Sequence, residues 1–337
     1  MPTSVPAEWS PHHAMWVGFP SHADLWEENL APAQAEVAAL ARALAGPGRE
    51  RVRLMTVGDD AADAARALLD GVAGVAGVAG VEIVPGVFGD VWLRDTGPIF
   101  TAPRAAAAFR FNGWGGKYDL PGDDRVAGDI AEAAGAVLTR HAFVLEGGAL
   151  DHDGRGTVLT TRQCLLNPNR NRGWREGDAE RALEAALGVR KVVWLDQGLM
   201  NDHTDGHVDN LARFVAPGVV ACPAAFGLDD PNAPAYDAAA RTLAAAKGAD
   251  GTPLRVERIP SPGRLLDHDH RVVPASHMNF LIANGAVIVP TYGGLAGDWA
   301  VQALETLFPG RAVLGLPARA LLTGGGAFHC ISQQEIA

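Results

Sequence analysis

The sequence predicts an α/β protein built from five β-rich modules closed into an array, not a doubly wound sheet. Two apolar runs around a Gly, Pro or Asn turn recur four times, and a Gly-rich stretch near the end of the chain opens a fifth unit. Each unit carries a polar, charged or thiol residue at a comparable point. These are Asp95, Glu146, His207, Asn279 and Cys330, separated by 51, 61, 72 and 51 residues. Helix candidates fill the intervals. Repeats of this length point to supersecondary modules that bury a core by packing side by side.

Taken in order, Ala31 to Leu44 has helical periodicity and Ala/Leu-rich propensity. Pro32 falls in its first turn, where a missing N–H does no harm. Arg51 to Val57 reads as a strand, Asp60 to Leu69 as a helix and Val81 to Val84 as a strand. The Gly-Val-Ala tract from Gly71 to Gly80 is low-complexity and reads as a surface connection. Hairpin signals follow. Gly97 to Phe100 pairs with Ala105 to Phe111, and Gly148 to Leu150 with Thr157 to Thr161. Val208 to Val215 pairs with Val219 to Cys222, and Met278 to Ile282 with Ala286 to Val289. Helix candidates are Arg125–Ala134, Gly177–Leu187, Ala235–Ala246 and Asp298–Leu307. Strands Lys191–Leu195, Leu254–Ile259 and Ala312–Leu316 follow the last three. The Gly/Pro-rich segments Pro223–Pro234 and Pro260–Pro274 read as loops that cover a central cavity. No domain boundary is needed, so residues 1–337 are expected to form one catalytic domain.

Bulk properties narrow the partners. Hydrophobic content is 48% and charged content 20%, which suits a packed globule. The net charge is −11, from 28 basic and 39 acidic residues. Nucleic acid and anionic membranes are therefore poor partners, whereas an acidic field concentrates a small cation. No run of about 18 apolar residues occurs, so no membrane-spanning segment is expected. The opening residues from Met1 lack the basic and apolar regions of a secretory signal. Three widely spaced cysteines, Cys164, Cys222 and Cys330, give neither a disulfide framework nor a zinc knuckle. A cytoplasmic location is the expectation.

The chemistry-bearing motifs sit at the repeated points. Asp95 precedes Thr96-Gly97-Pro98, where a carboxylate can simply cap a turn. Glu146 follows three apolar residues and precedes two glycines, and burying it is costly unless it is paired. His207 and Asp209 are two apart; on a strand they would project from one face. That suits an acid/base group beside a cation-binding carboxylate. It suits equally a metal held by His203, His207 and Asp209. Cys330 follows three glycines, where the backbone can approach a ligand closely. A lone thiol is more often a buried structural group, and only convergence of the other residues would make it a nucleophile.

These motifs resemble the agmatine deiminases of the guanidino-group-modifying superfamily, which also holds arginine and peptidylarginine deiminases. The resemblance runs nearly end to end. It is carried by Pro6 to His12, Trp92 to Pro98, Phe111 to Gly116, Leu145 to Gly148, Cys164 to Asn171, Thr204 to Asn210, Asn279-Phe280, Ile282 to Gly285 and Gly324 to Gln334. It implies a five-bladed α/β propeller, the pentein fold. It implies catalytic roles for Cys330, His207 and Glu146 and guanidinium binding by Asp95 and Asp209. Trp92 and Trp114 would wall a channel for a methylene chain, whereas Trp9, Trp174 and Trp194 read as core or surface. The physics agrees with these roles. A guanidinium is planar, charged and forked, and two carboxylates hold it in a fixed plane. Its central carbon is then presented to a thiol. No metal and no cofactor is required. Relatives point to a homo-oligomer.

Two departures from the family pattern stand near the pocket: Ala327-Phe328 where Asn-Ile is usual, and His277 where Tyr is usual. An inward Arg110 would favour a carboxylate-bearing substrate, although an Arg reaching solvent is the more ordinary reading. The first expectation is agmatine hydrolysis. Its rivals are deimination of free or C-terminal arginine, a metal-dependent hydrolase, and a binding protein on the same fold.

Overall fold

Sixteen strands and the helices between them organise the described residues of the computed structural model, 4–70 and 80–337. The first strands are β1 (His12–Gly18), β2 (Val52–Thr56) and β3 (Val81–Pro85). Next come β4 (Ile99–Ala102), β5 (Ala105–Arg110) and β6 (Val137–Val144), then β7 (Asp151–His152), β8 (Thr157–Thr161) and β9 (Lys191–Leu195). The last are β10 (Arg213–Ala216), β11 (Val219–Ala224), β12 (Arg255–Pro260), β13 (Leu281–Ile282), β14 (Ala286–Thr291), β15 (Ala312–Pro317) and β16 (Ser332–Ile336).

They form five small sheets among the described residues. Four have the orders β4-β5-β6, β7-β8-β9, β10-β11-β12 and β13-β14-β15. The fifth is β16-β1-β2-β3. In every sheet the first strand runs antiparallel to the second and the second parallel to the third. The last strand thus joins the first, so the fifth module is completed by both ends of the chain. The expected modules are all present.

A parallel pair needs a crossover, and helices supply it. They are Leu30–Ala45, Val126–Ala133, Glu176–Leu187, Ala233–Ala245 and Leu295–Glu305, with Asp59–Leu69 leading into β3. Pro32 lies in the first turn of its helix, as expected. The helix Glu176–Leu187 ends on Gly188 at φ 67°, a left-handed cap that glycine adopts without a Cβ penalty. Second strands are buried on both faces: β8 and all but the last residue of β14 are inaccessible. Four apolar clusters divide the core of the described residues.

Three strands were not foreseen, β1, β6 and β16. The tract at 71–79 lies outside the described residues. Several strands also begin later than the apolar runs suggest. Residues 147–149 and 208–210 are 3-10 turns, and residues 93–96 are a single helical turn. The site residues therefore do not lie within inner strands. They stand on tight turns that feed those strands. In particular, His207 and Asp209 do not alternate along a strand: Asp209 is inside the 208–210 turn and His207 caps it. The turn brings both side chains inward by winding, not by pleat.

No helix among the described residues is long and apolar enough to cross a membrane.

Candidate active site

The turns before β4, β7, β10, β13 and β16 meet at one place. Backbone and side-chain bonds between modules hold them there. The Arg94 amide donates to the Cys330 carbonyl at 3.0 Å, and the Gly148 amide donates to Asp95 Oδ1 at 3.0 Å. Arg94 Nη1 donates to Gln334 Oε1 at 2.7 Å. Gly148 has no substitute. A Cβ there would stand 2.6 Å from His207 Nδ1, 2.9 Å from Asp95 Oδ1 and 3.1 Å from Asp209 Oδ2. Gly326 is equally constrained, because its Cβ would meet Trp92 at 2.5 Å. The glycines before Cys330 thus let Trp92 pack against the loop that carries the thiol.

Asp95, Glu146, His207, Asp209 and Cys330 are all buried. Cys330 Sγ lies 3.7 Å from Asp209 Oδ2. His207 Nδ1 lies 3.7 Å from Asp95 Oδ1, and His207 Nε2 lies 4.0 Å from Glu146 Oε2. Both His207 nitrogens and Asp209 Oδ1 are buried without a hydrogen-bond partner in the protein. Such groups are costly unless something pairs with them. Asp95 is better satisfied. Its Oδ2 accepts from the Trp114 indole at 2.9 Å.

A cavity of about 260 Å³ reaches this set at Asp95 and Cys330. Its walls include Trp92, Trp114, Tyr118 and Leu25, with Asp90, Asp95 and Cys330 as polar lining. Trp92 and Trp114 thus both line this cavity. Trp114 is in the left-handed region at φ 53°, between Gly113 and Gly115, which also have positive φ. That strained turn aims its indole N–H at Asp95. Arg110 is exposed, as the ordinary reading had it. His203 stands on the rim, where its ring bonds Tyr118 Oη at 2.9 Å and stacks on it. It does not join His207 and Asp209 as a ligand set. Among the described residues, the potential metal ligands that do cluster are Glu146, Cys164 and His207, with ligand atoms within 4.8 Å of one another. The Arg170 guanidinium already sits on Glu146, so that cluster repels a cation, and no metal is assigned to it.

The electrostatics follow from burial and close charges. Burial, then the charges of Asp209 and Asp95, push the Cys330 thiol well above its ordinary range. Burial works against the His207 imidazolium, but Asp95, Cys164 and Glu146 together outweigh it and raise the ring well above the usual histidine value. Burial likewise opposes ionised Asp209, yet the hydrogen bond from His329 holds it below the usual carboxylate range. Without a ligand, then, the surroundings favour a protonated thiol at Cys330 and a charged ring at His207.

Several supporting residues escaped the sequence reading. Arg170, in the Cys164 to Asn171 motif, is wholly buried at its side chain. It donates to Glu146 Oε1 at 2.7 Å, to Asp205 Oδ2 at 2.6 Å and to the Thr204 carbonyl at 2.8 Å. It clamps the loop before His207 onto Glu146. The signal available was an arginine in a motif otherwise made of Asn and Pro. Replacing it by Met strands Glu146 in the interior. Arg170→Met is expected to lower unfolding stability by about 3–5 kcal/mol, read from urea denaturation. A loss under about 1 kcal/mol would refute the clamp. His329 is the second such residue, with Nδ1 2.8 Å from Asp209 Oδ2 and Nε2 3.3 Å from Glu8 Oε2. Glu8 is in turn paired with buried Arg213.

Residues 4–335 match the family model of Porphyromonas-type peptidyl-arginine deiminase. The chain is 39% identical to the agmatine deiminase of Stutzerimonas stutzeri (strain A1501), over 98% of this chain and 95% of that one. It superposes on the agmatine deiminase of Enterococcus faecalis with a TM-score of 0.90 at 30% identity, covering 98% of this chain and 95% of that one. A serine-for-cysteine form of the agmatine deiminase of C. jejuni, solved with substrate bound, gives a TM-score of 0.87 at 25% identity, over 99% of this chain and 96% of that one.

Proposed function

The chain belongs to the Porphyromonas-type peptidyl-arginine deiminase family, and from that membership we propose that it hydrolyses agmatine to N-carbamoylputrescine and ammonia. One catalytic domain spanning residues 1–337 would carry the reaction. The observation that carries this reading is the set of unfilled positions around Cys330. Asp209 Oδ1 is buried and unpartnered, and Cys330 Sγ lies 3.7 Å from the same carboxylate. A guanidinium is the ligand that offers N–H donors to Asp95 and Asp209 together while exposing its carbon to the sulfur.

The steps follow from the charges. The arriving cation offsets the two carboxylates that hold the thiol protonated, so the sulfur ionises as substrate binds and its proton is released to solvent. The thiolate attacks the guanidinium carbon and a C–S bond forms. His207 gives its proton to the departing nitrogen, the C–N bond breaks and ammonia leaves. Neutral His207 then takes a proton from water, which adds to the thiouronium carbon. The C–S bond breaks and returns Cys330 as the leaving group. Glu146 stands across the ring from Asp95 and favours the charged form of His207.

Agmatine is preferred to arginine on the character of the walls. Among the described residues no lysine or arginine lines the cavity, and Asp90 adds a carboxylate to it. The α-carboxylate of arginine would meet no cation there. Arg110, the residue that would have provided one, is exposed. A panel of guanidino compounds assayed for ammonia is expected to show kcat/KM for agmatine at least about 100-fold above that for arginine, the worth of one unpaired buried charge. Faster turnover of arginine would reject the agmatine reading. The three free cysteines accord with a reducing compartment, and we place the enzyme in the cytoplasm.

A further inference from the structure

We propose that Asn279 is a further catalytic residue, one that holds the Cys330 thiolate through its side-chain amide. The proposal rests on the reading of Cys330 as nucleophile, and it assigns to Asn279 a task that none of the carboxylates can perform. Asn279 Nδ2 lies 3.0 Å from Cys330 Sγ. Asn279 is wholly buried, on the turn before β13, and so comes from a different module than the thiol.

The orientation of the amide is set by its other end. Asn279 Oδ1 accepts from the backbone N–H of His329 at 3.0 Å and of Cys330 at 3.3 Å. Backbone amides can only donate, so the oxygen must face them and the NH₂ must face the sulfur. That NH₂ also meets Asn210 Oδ1 at 3.1 Å and Asp209 Oδ2 at 3.3 Å, so all its neighbours are acceptors. One side chain thereby grips the nucleophile's backbone, its sulfur and the Asp209 carboxylate.

The chemistry is one of balance. Asp95 and Asp209 must be charged to bind a cation, and that charge disfavours a thiolate between them. Asn279 is the neutral donor that contacts the sulfur directly. It favours the anion without repelling the substrate, and it stays in place when sulfur leaves carbon at the end of the cycle. A hydrogen bond to a charged group strengthens as the charge develops, which is the requirement for a catalytic effect.

The test reads the thiol without substrate. The rate of Cys330 alkylation by iodoacetamide is followed against pH, with the modified peptide identified by mass spectrometry. Asn279→Asp is isosteric and keeps an oxygen for the two backbone amides. Asn279→Ser removes the amide without adding charge. In both variants alkylation near pH 8 is expected to slow by about 10-fold or more, with the midpoint of the profile moved upward by about one pH unit. Profiles that superimpose on the parent protein's, in either folded variant, would overturn the proposal, because a merely structural Asn279 would alter stability and leave the thiol's titration alone. The assay also separates this inference from the one beneath it. A chain that ignores agmatine yet shows the shift loses the substrate reading and keeps Asn279 as the donor to the sulfur.

Discussion

Cys330→Ser is expected to abolish turnover, by roughly 10⁴-fold or more, while agmatine still binds. The two halves of that result have separate causes. Binding belongs to Asp95 and Asp209, and neither depends on the sulfur for its place. Asp95 is held by the Gly148 amide and the Trp114 indole, and Asp209 by His329 and Asn279. Chemistry belongs to the sulfur. A serine hydroxyl ionises far less readily than a thiol, and no neighbour is fitted to take its proton. His207 is already charged, and the carboxylates oppose a second anion. The substrate cation can tip a thiol across that barrier but not an alcohol. Isothermal calorimetry on the serine variant should give an agmatine affinity within about tenfold of the parent KM, with ammonia release at background. Turnover retained within about tenfold of the parent would remove Cys330 from its role. Loss of binding along with turnover would mean that the sulfur helps to build the site.

The parts of this site that were legible in the chain are those where one residue breaks a local pattern. A Glu closing an apolar run, a His and an Asp among glycine and valine, and a thiol after three glycines all stand out against their neighbours. Their spacing repeats because the five modules share one plan, and that is visible without knowing how the modules pack. What stayed hidden depends on partners far along the chain. β16 is Ser-Gln-Gln-Glu-Ile, almost wholly polar and yet buried throughout. No hydrophobic rule marks it as a strand at the centre of a protein. It is tolerated because Arg94 bonds Gln334, and Arg53 and Trp16 both bond Glu335. Those partners lie more than 200 residues away. β6 failed for the opposite reason. It is an edge strand, largely exposed, whose Thr139, Arg140 and His141 interrupt any apolar run. The clamp made by Arg170 and the brace made by His329 were hidden in the same way as β16. Each is a charged side chain whose meaning lies in which buried carboxylate it reaches.

Asp209→Asn separates substrate capture from thiol activation, because it should move the two in opposite directions. Asp209 Oδ2 receives donors from His329 at 2.8 Å and Asn279 at 3.3 Å, and Oδ1 is left for the substrate. An asparagine must keep its single oxygen where those donors are. Its NH₂ then takes the position of Oδ1 and points two hydrogens at a guanidinium that also offers only hydrogens. A charged acceptor becomes a neutral donor, which is worse than a simple deletion. The expected cost is about 3–5 kcal/mol, or about 10²- to 10⁴-fold in kcat/KM, appearing largely in KM. The same change relieves the sulfur. The Asp209 charge helps to raise the Cys330 thiol, so removing it lowers the thiol's pKa and increases the thiolate fraction at neutral pH. Alkylation of the free variant at pH 7 should therefore be faster than in the parent, by about tenfold for each unit by which the pKa falls. A dead enzyme with a more reactive nucleophile is not what a collapsed site produces, since collapse would bury or misplace the thiol. Slower alkylation in the variant, or an unchanged KM, would show that Asp209 neither opposes the thiolate nor grips the substrate, and the two-carboxylate account of the site would fail with it.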